Sequence, residues 1–373
     1  MSRPSAPSHP IYVYAPPYNA ASAGIRALHI LVDALNRAGE DAFVFTDVYT
    51  LGPQTAPDTL RAPTLTTETA KAHKAEGRRP IVVYPEVVSG NPLKASAVVR
   101  LVLNVPGLLG GAETYPDSEL VYGYGQRLAE QIGHPDRSLF IPAIDLDEWT
   151  PGDGGPRTTV CYYASKYKEV HKAETFGLPD DAVEISRNLA NSLQRDELVE
   201  LLRRSRALYV FENTALAIEA PLCGCPAVMM PNPYLSYPIG DKDHGMGGIS
   251  WGDAPEDVAR ATATVDQMRT GYQAAIDRFP ESLAHFIKTA RAFRDGIAEN
   301  TIDLSALRAV TYERDAARYA LDILPGRSGA LLAIRKVADV VRRRGLWSVC
   351  KIALSVARIA LNNALQSKTP KRR

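Results

Sequence analysis

The sequence predicts an α/β protein of two doubly wound domains facing a cleft, followed by C-terminal amphipathic helices. Three observations predict it. Short apolar runs alternate with helical patterns from residue 11 onward. The alternation breaks at Trp149–Arg157 (WTPGDGGPR) and then restarts. Near residue 330 the charge changes sign. Strand–helix–strand alternation implies parallel sheets covered by helices, and parallel sheets bind ligands beyond the carboxyl ends of their strands.

The first strand is expected at Ile11–Ala15, followed by a Pro/Gly-containing loop. A helix is expected over Ile25–Ala38, because Ile25, Leu28, Leu31, Val32 and Leu35 recur at helical spacing and Gly39 stops it. Ala42–Phe45 returns as the second strand. Further strands are expected at Ile81–Tyr84, Arg100–Asn104, Leu120–Tyr122 and Leu139–Ile141, separated by short helices or loops. The linker at 149–157 divides a domain of residues 1–150 from one of residues 151–325. In the second domain, strands are expected at Thr159–Ala164, Ala182–Ser186, Ala207–Phe211 and Pro226–Met230. Helices are expected at Arg195–Arg204, starting from Ser192 and Gln194, and at Ala215–Cys223, stopped by Gly224. Residues 255–324 read as mainly helical.

Composition narrows the class. With 45% hydrophobic and 23% charged residues in 373, the chain is neither disordered nor collagen-like and is long enough for two cores. The net charge of +1 conceals an asymmetry. Residues 331–373 carry eleven Lys/Arg and one acid, Asp339, which leaves 32 basic and 41 acidic residues in the body. Cys161, Cys223, Cys225 and Cys350 form neither a disulfide framework nor a CxxC pair, as expected in a reducing cytosol. No apolar signal segment and no run of about 18 uncharged apolar residues is seen, so the expected location is cytoplasmic, peripheral on the inner face of the cell membrane.

The tail motivates the membrane. After Arg342–Arg344 and Gly345, residues Leu346–Gln366 read as one helix. Its polar stripe (Arg344, Ser348, Lys351, Ser355, Arg358, Asn362, Gln366) is narrow and the rest is apolar. Such a helix suits an in-plane membrane position, with Lys368, Lys371, Arg372 and Arg373 drawn to anionic lipid. The other reading is a helix packed on the body or in an oligomer. Nucleic acid is not an expected partner, because no aromatic residue beyond Trp347 interleaves the basic ones.

Four stretches are candidates for chemistry. In Tyr18–Arg26 (YNAASAGIR), small residues before a helix, Ser22 and Gly24 among them, expose backbone N–H groups to an anion or acceptor, and Arg26 adds charge. A plain βα turn is the competing reading. Glu86 follows an apolar strand, where cleft residues lie, and suits a base or a hydroxyl ligand; it also suits a loop acid. Asn104 sits at a second strand end, in NVPGLLGG. Lys166 and Lys172 in ASKYKEVHK would neutralise a diphosphate, or belong to a solvated basic turn. In FENTALAIEAPLCGCP, Asn213 or Thr214 caps a helix whose N-terminus favours a phosphate, and Glu212 and Glu219 suit ribose or sugar hydroxyls. The pairs Asp145/Asp147 and Asp241/Asp243 lack a further ligand at metal spacing and read as loop acids.

These stretches resemble a family. YVYAPPYNAASAGIRALHILVDALNRAGEDAFVF, FIPAIDLDEWTP, ELVELLRRSRALYVFEN and EAPLCGCPAVMMP are similar, in that order over residues 11–260, to the GT-B glycosyltransferases of bacterial surface-polysaccharide (lipopolysaccharide) synthesis, group 1 or family-4-like. The resemblance implies two Rossmann-like domains, an acceptor side in 1–150 and a nucleotide-sugar side in 151–325 whose helices return to the first domain. It implies a hexosyl or deoxyhexosyl transferase with a nucleotide-sugar donor and a glycan or lipid-linked acceptor, no metal and no other cofactor. Glu219 takes the family's second glutamate position, on the donor's ribose. The first falls on Phe211, beside Glu212. Lys166 and Lys172 are nearest to the family's diphosphate-binding pair. Glu86 is the expected acceptor-side acid or base. Two other functions remain open at this point: a nucleotide-sugar epimerase or phosphorylase of the same fold, and a catalytically idle glycan-binding protein.

Overall fold

The computed structural model describes residues 9–46, 56–186, 192–299 and 301–303. All of them belong to one compact unit. The basic tail and its expected helix at 346–366 lie outside the described residues, as does the end of the 255–324 stretch.

The first half opens with β1 (Ile11–Tyr14), α1 (Ala23–Arg37) and β2 (Ala42–Phe45). α2 (Thr67–Ala75), β3 (Ile81–Pro85), β4 (Val98–Val102), β5 (Leu120–Gly123) and α3 (Gly125–Gln131) follow. α1 forms where the apolar spacing placed it, with Ser22 as its N-cap. The strands are parallel in the order β2-β1-β3-β4-β5. One expected strand does not form. Leu139–Ile141 runs beside β5, with the Leu139 N–H donating to Gly123 O at 2.9 Å, but pairing stops at a single Gly123–Ser138 bridge. Its apolar side chains are spent on burial, since Leu139 and Ile141 are both fully covered.

The second half repeats the plan with β6 (Thr159–Tyr163), α4 (Ser165–Glu169), the two-residue β7 (Val183–Glu184), α5 (Arg195–Arg204), β8 (Ser205–Val210), α6 (Leu216–Leu222) and β9 (Ala227–Met229). α7 (Asp241–His244), β10 (Ile249–Trp251), α8 (Pro255–Ala263) and α9 (Gln267–Asp295) complete it. α5 starts on a capping box in which Gln194 and Glu197 each receive the other's backbone N–H. The strands are again parallel, ordered β10-β9-β8-β6-β7. Counted within each half, both sheets have the order 2-1-3-4-5. That order changes direction between β1 and β3 in one sheet and between β6 and β8 in the other.

α9 joins the two cores. Met268, Tyr272 and Ala275, in its first half, are buried against the second sheet. Leu283, Phe286 and Ala290, in its second half, are buried against the first. Pro280 lies at the changeover, where the missing N–H removes one helical hydrogen bond. Gly271 lets α9 pass close to α7, because a Cβ there would stand 2.0 Å from His244 O.

Candidate active site

In a doubly wound sheet, ligands bind beyond the carboxyl ends of the strands where the order reverses. Here the two reversal points meet. The segments after β1, β3, β6 and β8 all line one cleft of about 330 Å³, through Ser22 and Arg26, Glu86, Lys166, and Asn213 and Thr214 respectively. Asn104, after β4, joins them. The fold is GT-B.

No protein-family model matches this GT-B chain, and no curated protein matches it. Solved structures do. AviGT4, a glycosyltransferase involved in avilamycin A biosynthesis, is 12% identical over 77% of this chain and 98% of its own, with a TM-score of 0.43. A glycosyltransferase from Rickettsia africae is 10% identical over 77% of this chain and 99% of its own, with a TM-score of 0.41. WaaG, a glycosyltransferase involved in lipopolysaccharide biosynthesis, is 10% identical over 78% of this chain and 99% of its own, with a TM-score of 0.40. At TM-scores below 0.5 these likenesses carry no further argument.

Glu86 is the most perturbed carboxyl of the cleft. It is buried, and burial pushes its pKa up to about 7, against the hydrogen bond from the Leu103 N–H (2.9 Å) and the positive charges of Lys166 and Arg100. A carboxyl so placed exchanges its proton near neutrality. Across the cleft, Glu212 accepts from the Tyr167 N–H at 2.9 Å, and burial raises its pKa too. Its Oε1 has no partner. The Lys166 ammonium is close enough to lower the pKa of both carboxyls, and no ion pair holds it among the described residues. Glu212 lines a smaller recess next to the cleft, which Lys166 shares, walled by the stacked rings of His171 and Tyr234.

Other expected site residues are placed differently. Arg26 is buried and turned to Glu219, its Nη2 donating to Oε1 at 2.9 Å, while Nη1 donates to Ala20 O at 2.6 Å. Glu219, fully covered on α6, therefore meets the first half of the molecule and does not line the cleft. Lys172 stays exposed, with positive φ, and its ammonium donates to Glu169 O at 2.6 Å. It does not join Lys166. Asn213 caps no helix. It holds the loop after β9, donating to Tyr237 O (3.2 Å) and accepting from the Ile239 N–H (3.0 Å). Thr214 Oγ1 accepts from the Leu216 N–H at 3.3 Å, near the helix start. Gly24 lines the cleft without steric need for glycine, since a Cβ there would meet only Leu103 at 3.8 Å. Asn104 accepts from the Val105 N–H at 2.8 Å.

Several lining residues carry no signal in the sequence: Tyr124, Ile144, Tyr163, His244 and Tyr272 among them. Asp241 and Asp243 bind protein groups. Asp241 pairs with Arg127, and Asp243 accepts from the Gln126 N–H at 3.1 Å, tying α7 to α3 across the two halves. Among the described residues, no three His, Cys, Asp or Glu side chains gather as a metal ion would need.

Proposed function

We propose that this protein is a glycosyltransferase that moves a sugar from a nucleotide-sugar donor to an acceptor hydroxyl in the cleft. The observation that carries the reading is the convergence of Glu86, Lys166 and the amino end of α1 on one space between the two switch points. The reaction breaks the bond between the anomeric carbon and the diphosphate, and forms one to the acceptor oxygen. The leaving diphosphate needs positive charge, supplied without metal or other cofactor by the Lys166 ammonium and by the amino end of α1. The acceptor hydroxyl must lose its proton, and Glu86 is the group that takes it. Glu212, with an unpartnered oxygen, and Asn213 and Thr214 stand on the donor side for sugar hydroxyls. Lys172 and Glu219 stand outside the cleft lining.

The test follows nucleotide release from a panel of nucleotide sugars, with and without a lipid-linked acceptor. Acceptor-dependent release is the expected result. Free interconversion of donors without acceptor would establish an epimerase instead, and binding without turnover an idle protein. Lys166→Ala is expected to weaken nucleotide-diphosphate binding about tenfold, the loss of one charge-assisted contact, and Lys172→Ala to leave it unchanged. Equal effects of the two substitutions, read by calorimetry, would remove Lys166 from the diphosphate site.

The acceptor side of the proposal rests on sequence. The charge and amphipathicity of residues 342–373 favour an anionic membrane surface at the cytoplasmic face, and hence a lipid-linked or polysaccharide acceptor. No helix among the described residues is long and apolar enough to cross a membrane. Deleting residues 331–373 is expected to abolish sedimentation with anionic liposomes; unchanged pelleting would refute the membrane role.

A further inference from the structure

Arg100 lies outside the cleft and is 1% exposed, on the second strand from the edge of the first sheet. Every one of its N–H directions is used. Nε and Nη2 donate to the two oxygens of Glu119, at 2.9 and 3.0 Å. Nη1 donates to Val88 O at 2.7 Å and to Pro85 O at 3.4 Å, and Nη2 to Gly90 O at 2.8 Å. Its guanidinium carbon lies 5.4 Å from the centre of the Tyr84 ring and 5.2 Å from that of Tyr115. Three of the five acceptors are thus main-chain carbonyls of one short loop, residues 85–90, which carries Glu86. From another side, Gly111 packs so closely on that loop that a Cβ would stand 1.9 Å from Glu86 O.

An arginine buried this deeply is costly unless paired. Packing does not require a cation there, because an apolar side chain would fill the space with less desolvation. What a fork of five donors does uniquely is tie carbonyls that point in different directions to one plane. We propose that Arg100 is the positioning residue of the site: anchored by Glu119, it fixes the 85–90 loop and so holds the Glu86 carboxyl buried against Leu103 in the cleft. This deepens the reading of Glu86 as the acceptor-side base and rests on it for its catalytic meaning. The positional claim concerns the loop alone.

The experiment is a carbon-detected NMR titration of the Glu86 carboxyl, assigned by its loss in Glu86→Gln, in the full chain and in Arg100→Lys. Lysine keeps the charge near Glu119, Tyr84 and Tyr115 but cannot reach three carbonyls at once. Lys166, which also acts on Glu86, and the neighbouring Tyr115 stay the same. Release of the loop should wet the carboxyl and lower its titration midpoint by about one pH unit or more. In the same variant, kcat should fall at least tenfold with donor KM within about twofold, since donor contacts are untouched. A merely structural arginine would reduce the folded fraction and leave the midpoint of the folded protein where it was. That result overturns the proposal. Gly111→Ala presses the loop from the opposite side and should also move the midpoint, which guards against a poorly folding Arg100→Lys. Full transfer activity in Glu86→Gln would instead overturn the catalytic reading and leave the positional one to be judged by the titration.

Discussion

Replacing Glu86 by Gln is expected to lower acceptor-dependent turnover by about 10²–10⁴-fold, the usual value of a positioned general base. The pH dependence sharpens this. With its pKa near 7, Glu86 in the wild-type protein is half ionised at neutrality. A base acts ionised, so the rate should climb through pH 7 and level off above it, and the Gln variant should be flat. Stability should change in the opposite direction. A carboxyl whose folded pKa lies above its unfolded value binds its proton more tightly in the folded state. Its favourable contribution is complete below the unfolded pKa and disappears as pH rises through about 7. Above that pH, Gln should therefore match or exceed Glu in resistance to urea, by up to about 3 kcal/mol. A variant that turns over at the wild-type rate with the same acidic limb would show that the proton goes elsewhere.

The second large effect belongs to Arg26 and Glu219. They come from α1 and α6, 193 positions apart, and form a covered ion pair joining the two halves. Removing one partner leaves the other charge buried and unpaired. Arg26→Met or Glu219→Leu alone should cost about 3–5 kcal/mol, whereas the double replacement should recover much of it, because desolvation of both ions is then relieved. Urea unfolding of the two singles and the double measures the coupling. Single losses below about 1 kcal/mol, the level of an exposed pair, would mean that water reaches the site.

How much of this is legible in the sequence depends on how local the cause is. α1, β2 and α5 appear where spacing and stop signals place them, because those signals act within a few residues. Leu139–Ile141 fails as a strand because an apolar run reports burial, and burial does not require a ladder partner. The cleft is partly legible for a reason of chain geometry. A residue just beyond a parallel strand must stand at the sheet's carboxyl edge, so the strand ends alone bring Glu86, Asn104, Lys166 and Asn213 together. The Arg26–Glu219 pair is not legible, since nothing in either stretch marks the other. Neither is Arg100, which reads only as the first residue of a strand until the loop it holds is known. Tyr124 and Tyr272 are hidden in patterns that any core helix or strand end would show.

The long helix that passes from one core to the other has a consequence for how the chain is made. Leu283, Phe286 and Ala290 complete the packing of a sheet whose last strand ends at Gly123. At a synthesis rate of about 5–20 residues per second, the ribosome delivers Phe286 roughly 8–33 s after that strand. During that interval the nascent first half carries an uncovered apolar face, and only the arrival of the second half of α9 closes it.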